Sequence, residues 1–168
     1  MLYSIKKIHF IGIGGIGMSG IAELLKNKGF LVTGSDISDS PNVQRLIDMG
    51  IHIEIGHNEK NISDSELVIY SDAIPKDNPE LQNALSKNLL VYSRARMISE
   101  IAKLNNSTVA ISGTHGKTTT TSMVGSILKT LDLDPTIIVG GVVKSLESNS
   151  ALGSGDTFIV EADEYNKS

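Results

Sequence analysis

The chain has 168 residues, 40% of them apolar and 20% charged, with a formal net charge of −4 and no cysteine. That balance supports a packed core and excludes wholesale disorder, and the lack of a basic excess argues against a nucleic-acid partner. The missing cysteines exclude disulfides, a thiol nucleophile and cysteine metal sites, and they suit a reducing compartment.

No apolar run reaches the roughly 18 residues that span a bilayer, so a membrane partner is not expected and the cytoplasm is the expected location. Lys6 and Lys7 precede an apolar stretch, as in a signal peptide, but Gly12, Gly14, Gly15 and Gly17 interrupt it. A buried strand followed by a turn describes the segment better.

In chain order, Ile5–Ile13 reads as a strand buried on both faces. A helix is expected over Ile16–Lys28, stopped by Gly29, and a second strand over Phe30–Ser35. Pro41 opens a helix that runs through Met49 to Gly50. Strands at Ile51–Ile55 and Leu67–Ser71, a helix at Pro79–Lys87, a strand at Leu89–Tyr92 and a helix at Ser93–Lys103 complete the first series. This alternation points to an α/β fold with a Rossmann-like, doubly wound parallel sheet.

The polar stretch Leu104–Ser107 marks a boundary, giving domains 1–105 and 106–168. The pattern then restarts with strand Thr108–Ser112, a glycine loop, helix Lys117–Leu131, strand Thr136–Val139, Gly140-Gly141 and strand Thr157–Glu161. So few strands make a poor sheet alone, so this reads as the beginning of a P-loop α/β ATPase domain.

Gly12-Ile13-Gly14-Gly15-Ile16-Gly17-Met18 fits G-x-G-x-x-G between a strand and a helix. Glycines permit the tight turn and close approach of backbone to a diphosphate, and the helix N-terminus offers free N–H groups and partial positive charge. Asp36 ends the second strand, where dinucleotide enzymes place an acid for ribose hydroxyls. It serves equally as a turn or helix-cap aspartate beside Ser35 and Ser38.

The more specific signal is Val109–Thr119, a strand leading into Gly113-Thr114-His115-Gly116-Lys117-Thr118-Thr119 and a helix. In such a loop the backbone N–H groups of residues 113–119 cradle phosphates, Lys117 reaches the terminal phosphates of ATP, and the Thr118 hydroxyl binds Mg²⁺. The loop is two residues shorter than the common motif: Ile111 sits where its first glycine belongs, and Gly113 stands in for it. β-Branched Thr118–Thr121 are poor choices for a helix start, and a lysine there opposes the helix dipole unless an anion is bound. Glu161, at the carboxyl end of the last strand ahead of Asp163 and Glu164, is a second candidate ligand for Mg²⁺.

His9 reads as a core histidine with a satisfied hydrogen bond, and His52 and His57 as surface or loop residues. His115 either touches nucleotide or packs within its loop. No histidine–carboxylate spacing suggests zinc.

Taken together, Gly12–Met18, Gly34-Ser35-Asp36, Ser71 with Ala73-Ile74, Gly113–Thr121, Gly140-Gly141, Asn149 and Glu161–Tyr165 resemble the Mur ligase family, in order along the whole chain. GIGGIGM is more similar to the family's alanine-adding branch than to the branch that recycles murein tripeptide. The resemblance implies a three-domain plan, with a UDP-substrate domain first, an ATPase domain second and an amino-acid-side domain third. It implies UDP-N-acetylmuramate and L-alanine as substrates, with ATP and Mg²⁺. Gly14, Gly15, Ile16, Gly17 and Met18 would lie on the UDP-sugar diphosphate, with Asp36, Ser71 and Arg94 near the substrate and Asn149 near its reacting end. Lys117 would be catalytic, and Thr118 and Glu161 would hold the metal.

Arg96 and Asn166 depart from residues frequent in the family. The incomplete second domain implies that 168 residues alone do not ligate. Two readings compete: a non-catalytic NAD- or nucleotide-binding module, which leaves the second loop unused, and a P-loop switch or carrier, which leaves the first unexplained.

Overall fold

The computed structural model describes residues 4–62, 64–143, 148–151 and 153–161, with side chains described outside 140–150. The chain divides into two compact units, Met1–Glu100 and Ile101–Ser168.

The first unit carries β1 (Lys7–Ile11), α1 (Ile16–Asn27), β2 (Leu31–Asp36), α2 (Pro41–Asp48), β3 (His52–Ile55), a 3-10 turn at Glu59–Ile62, β4 (Leu67–Tyr70), α3 (Pro79–Ser86), β5 (Leu90–Ser93) and α4 (Arg94–Ala102). α4 runs past the division at Glu100 by two residues. The strands form a wholly parallel sheet in the order β3-β2-β1-β4-β5. The order reverses direction beside β1, so a crevice opens where the connections leave to opposite sides, and ligands of open α/β sheets bind at such crevices.

Why these residues make these elements is visible locally. β1 reads Lys-Ile-His-Phe-Ile and is buried after its first residue, as a central strand covered on both faces must be. α1 buries Met18, Ile21, Ala22, Leu24 and Leu25. α2 and α3 each begin with proline at the first turn, preceded by a cap: the Ser40 hydroxyl accepts from Val43 N, and the Asn78 side-chain Oδ1 accepts from Glu80 N and Leu81 N at 3.0 and 3.1 Å.

Gly34, inside β2, is dictated by packing, since a methyl there would lie 2.9 Å from Ile13 Cβ. Gly34→Ala is expected to cost about 1–3 kcal/mol through overpacking, measured as a lower urea midpoint with an unchanged slope.

The second unit contains β6 (Ser107–Ile111), α5 (Lys117–Thr130), β7 (Thr136–Val143), β8 (Ser148–Ala151) and β9 (Thr157–Glu161). Its sheet runs β6-β9-β7-β8, parallel except for the β7–β8 pair. Ile137, Val139 and Ile159 form its core against Val124 and Leu128 of α5.

Most expected elements are present, with ends moved by a residue or two. Three differences are larger. The first strand stops at Ile11, because Gly12 turns the backbone to φ +79°. Gly140-Gly141 do not end a strand: β7 continues through them to Val143 and pairs with β8, which the sequence reading lacked. The 3-10 turn at Glu59–Ile62 was also not expected.

Candidate functional site

Two glycine turns stand at the carboxyl ends of parallel strands, one in each unit. In the first, Gly12 N and Ile13 N both donate to Ser35 O, at 2.8 and 3.0 Å, which ties the turn to the end of β2. Gly15 is the N-cap of α1 and brings no side-chain cap, so no cap side chain occupies the first N–H groups of the helix.

The glycines have reasons of their own. A methyl on Gly14 would lie 2.7 Å from Val43 Cγ2 and 3.0 Å from both Asp36 Oδ2 and Ser40 Oγ. A methyl on Gly17 would lie 2.8 Å from an Arg94 guanidinium nitrogen, so Arg94 lies across the start of α1. Arg94 also faces Asp72, with Nε 3.9 Å from Oδ2.

Asp36 is buried, and its oxygens have partners within the chain. Oδ2 accepts from Gly14 N at 2.8 Å, and Oδ1 accepts from Ser38 N at 3.2 Å. The turn-fastening reading is therefore realised; a ribose would have to share these oxygens. Ser71 follows β4, its N–H bonded to Ile11 O at 3.2 Å and its hydroxyl accepting from Ala73 N. Gly12, Gly14, Gly15, Asp36 and Ser71 line one cleft of about 720 Å³, together with Ile37, Ile74 and His57. That volume suits a nucleotide-sized ligand.

His57 lies in the loop after β3, as the surface-or-loop expectation allowed, but its side chain is only 13% exposed and lines this cleft. Its Nδ1 lies 3.0 Å from Ser35 Oγ and 3.5 Å from Glu80 Oε1. His52 is exposed as expected and meets Glu54. His9 is the expected core histidine, bonded to Thr33 Oγ1 at 2.9 Å and to Glu80 Oε2 at 3.2 Å.

The residue missed altogether is Glu80, fully buried on α3. Besides His9 it accepts from Ser35 Oγ at 2.6 Å, Asn61 Nδ2 at 2.7 Å and Asn58 N at 3.1 Å. Burial pushes its pKa up, but the hydrogen bonds from His9 and Ser35 outweigh that and hold it below the ordinary value, so the group is a carboxylate. A glutamate at the second position of a short, proline-started helix looks like an ordinary first-turn acid, and no local signal marks it as buried.

In the second unit, Gly116 caps α5 in the left-handed conformation, φ +79°, without a side-chain cap. That geometry favours glycine and turns the first N–H groups of α5 into the loop. Lys117 folds back, Nζ donating to Gly113 O at 2.7 Å. Gly113, Gly116, Lys117, Thr118 and Thr119 thus belong to one turn and helix start, with Thr114 and His115 in the loop between.

Glu161, at the end of β9, is 9% exposed and paired in register with Ile111, the residue from which β6 enters the loop. This donor set, a hydroxyl at the helix start and a carboxylate at the neighbouring strand end, fits a hard divalent cation held with phosphate oxygens. Among the described residues no three His, Asp or Glu side chains form a metal cluster by themselves. Asn149 lies in β8, but its side chain is outside the described residues, as are Asp163, Glu164 and Asn166.

These features define an α/β protein with a glycine-lined, nucleotide-sized cleft on one sheet and a phosphate-type loop on another. A model described as "Mur ligase family, catalytic domain" matches residues 7–106, and the chain belongs to that family.

Over 157 residues it is 54% identical to the UDP-N-acetylmuramate–L-alanine ligase of Xanthobacter autotrophicus, covering 94% of this chain and 33% of that protein. Over 163 residues it is 52% identical to the enzyme of the same name from Clostridium acetobutylicum, covering 97% of this chain and 36% of that protein. The solved structure of the UDP-N-acetylmuramate–alanine ligase from Thermotoga maritima matches with a TM-score of 0.83 at 38% identity, over 92% of this chain and 37% of that one. A UDP-N-acetylmuramate:L-alanyl-gamma-D-glutamyl-meso-diaminopimelate ligase from Neisseria meningitides matches with a TM-score of 0.85 at 28% identity, over 96% of this chain and 54% of that one. The chain therefore spans about a third of the length of the curated relatives it matches.

Proposed function

We propose that the chain carries two nucleotide sites of a cytoplasmic, ATP-dependent ligase that joins L-alanine to UDP-N-acetylmuramate in peptidoglycan precursor synthesis. The observation that carries this reading is the pair of uncapped helix starts, Gly15–Met18 and Gly116–Thr119, each at the carboxyl end of a parallel strand in its own unit. One cradle would serve a switch or a sensor; two serve a reaction that holds a sugar nucleotide and a triphosphate together. The unit up to Glu100 would hold UDP-N-acetylmuramate, and the unit from Ile101 would be part of the ATP-binding domain.

Between the alanine-adding name and the tripeptide-ligase name the first is favoured, by 38% identity against 28% among the solved structures.

A carboxylate does not react with an amine at useful rates until it is activated. The γ-phosphoryl group of ATP would pass to the muramoyl carboxylate with loss of ADP, and the alanine amine would then displace phosphate to form the amide. Mg²⁺ would supply neutralisation of the charge on the transferring phosphoryl group. The backbone N–H groups at the start of α5 would bind the phosphates, and Lys117 would exchange its bond to Gly113 O for a terminal phosphate oxygen. Thr118 and Glu161 would hold the metal. In the first unit the α1 N-terminus and Arg94 would take the UDP diphosphate, with Gly14–Gly17 and Ser71 against the ligand, Met18 packed in the core behind the turn and Asp36 holding the turn in shape. Asn149 would lie towards the reacting end.

Calorimetric titration with UDP-N-acetylmuramate, ATP and NADH tests the reading. Saturable binding of the first two with no response to NADH is expected. NADH binding in place of the sugar nucleotide would overturn it in favour of a dinucleotide module.

A further inference from the structure

The first cleft contains a histidine whose ring orientation is determined by the protein, and this deepens the proposed sugar-nucleotide site, on which it rests. Ser35 has one hydroxyl hydrogen, and the Glu80 carboxylate takes it at 2.6 Å. Ser35 Oγ can therefore only accept from His57, whose Nδ1 lies 3.0 Å away. Glu80 Oε1, 3.5 Å from the same nitrogen, favours a hydrogen in the same place. His57 Nδ1 thus carries a hydrogen, and an imidazole with one N–H has its lone pair on the other nitrogen, Nε2.

No described residue bonds Nε2, and the ring lines the cleft that also holds Gly14, Asp36 and Ser71. Ser35 and Glu80 are both fully buried, which holds the relay rigid. The other charged groups near it are His9, on the opposite oxygen of Glu80, and Asp36 across the cleft.

We propose that His57 is a ligand-contact residue, with Ser35 and Glu80 its positioning residues, and that its Nε2 accepts a hydrogen bond from the nucleoside end of the bound nucleotide. The donor is an O–H or N–H, so a ribose hydroxyl and the imide N–H of a uracil are the two groups that fit. A phosphate, which only accepts, does not fit a bare Nε2. His57 follows β3, on the side of the crevice where β2 ends in Asp36, whereas the diphosphate cradle is the glycine turn after β1. A nucleotide lying across the crevice would bring its nucleoside to this side.

Nitrogen-15 NMR of the histidine rings in the whole 168-residue chain, with UDP as the probe, tests this. The free protein should show His57 with Nδ1 protonated and Nε2 bare, and UDP should shift the Nε2 resonance. His57→Phe should weaken UDP about tenfold, the loss of one hydrogen bond, while His57→Gln, which keeps an acceptor, should recover most of the affinity. Either 2′,3′-dideoxy-UDP or 3-methyl-UDP should show the same loss with the unaltered chain and no further loss with His57→Phe, identifying which donor is used. A ring protonated on Nε2, both analogues binding as well as UDP, or a folded His57→Phe with unchanged affinity would each overturn the proposal alone. An unaltered chain that ignores UDP would overturn the sugar-nucleotide reading as well.

Discussion

Glu80→Leu is expected to destabilise the first unit by about 3–5 kcal/mol, read from urea unfolding at pH 7. The leucine removes the acceptor for Ser35 Oγ, Asn61 Nδ2, Asn58 N and His9 Nε2, and leaves buried donors without partners. Glu80→Gln, which keeps one acceptor oxygen, should cost less.

The pH dependence follows from the same contacts. Because the folded carboxyl titrates below its ordinary value of 4.5, its contribution is complete above about pH 4.5 and is lost as pH falls through the folded value. Acidification should therefore cost the unaltered chain more stability than Glu80→Gln. A loss under about 1 kcal/mol for Glu80→Leu would mean that the hydrogen bonds to this carboxylate do not hold the unit together.

Lys117→Ala is expected to lower the affinity for ATP about a hundredfold, by removing a charge-assisted bond to phosphate. The substitution also frees Gly113 O, a partly buried contact, so thermal unfolding should be followed alongside and should change little. Thr118→Val offers a contrast: it should weaken ATP in the presence of Mg²⁺ and much less in its absence. Unchanged ATP affinity in Lys117→Ala, measured by calorimetry, would remove the basis for a triphosphate site in this unit.

The α/β order of the first unit was legible because its strands are short apolar runs bounded by glycine, asparagine or proline. Ile13 shows why the ends were not. It is as apolar as its neighbours, but the backbone has already turned at Gly12, and its side chain packs beneath Gly34 instead of extending β1. β8, Ser-Asn-Ser-Ala, has no apolar residue before its last and owes its strand conformation to pairing with β7, a tertiary cause that local pattern does not carry.

The two phosphate-type turns were visible because their glycines and lysine sit next to each other in sequence. Arg94 and Ser71 came from family resemblance, and no local pattern announced them. The joining of His57 and Glu80 was not legible for a plain reason: their side-chain partners are 19 to 71 residues away, and neither sits in a motif.

The strand order β3-β2-β1-β4-β5 also has a consequence during synthesis. β1 sits in the middle, yet one of its neighbours, β4, lies 59 residues later in register, Ile8 against Leu67. At roughly 5–20 residues per second, β1 and β2 wait several seconds on the ribosome with a bare apolar flank. Over the same interval the Ser35 hydroxyl has no carboxylate to meet, because Glu80 is translated later still. The unit can close only after most of its length has been made, so its nascent form is the stage most exposed to misassembly.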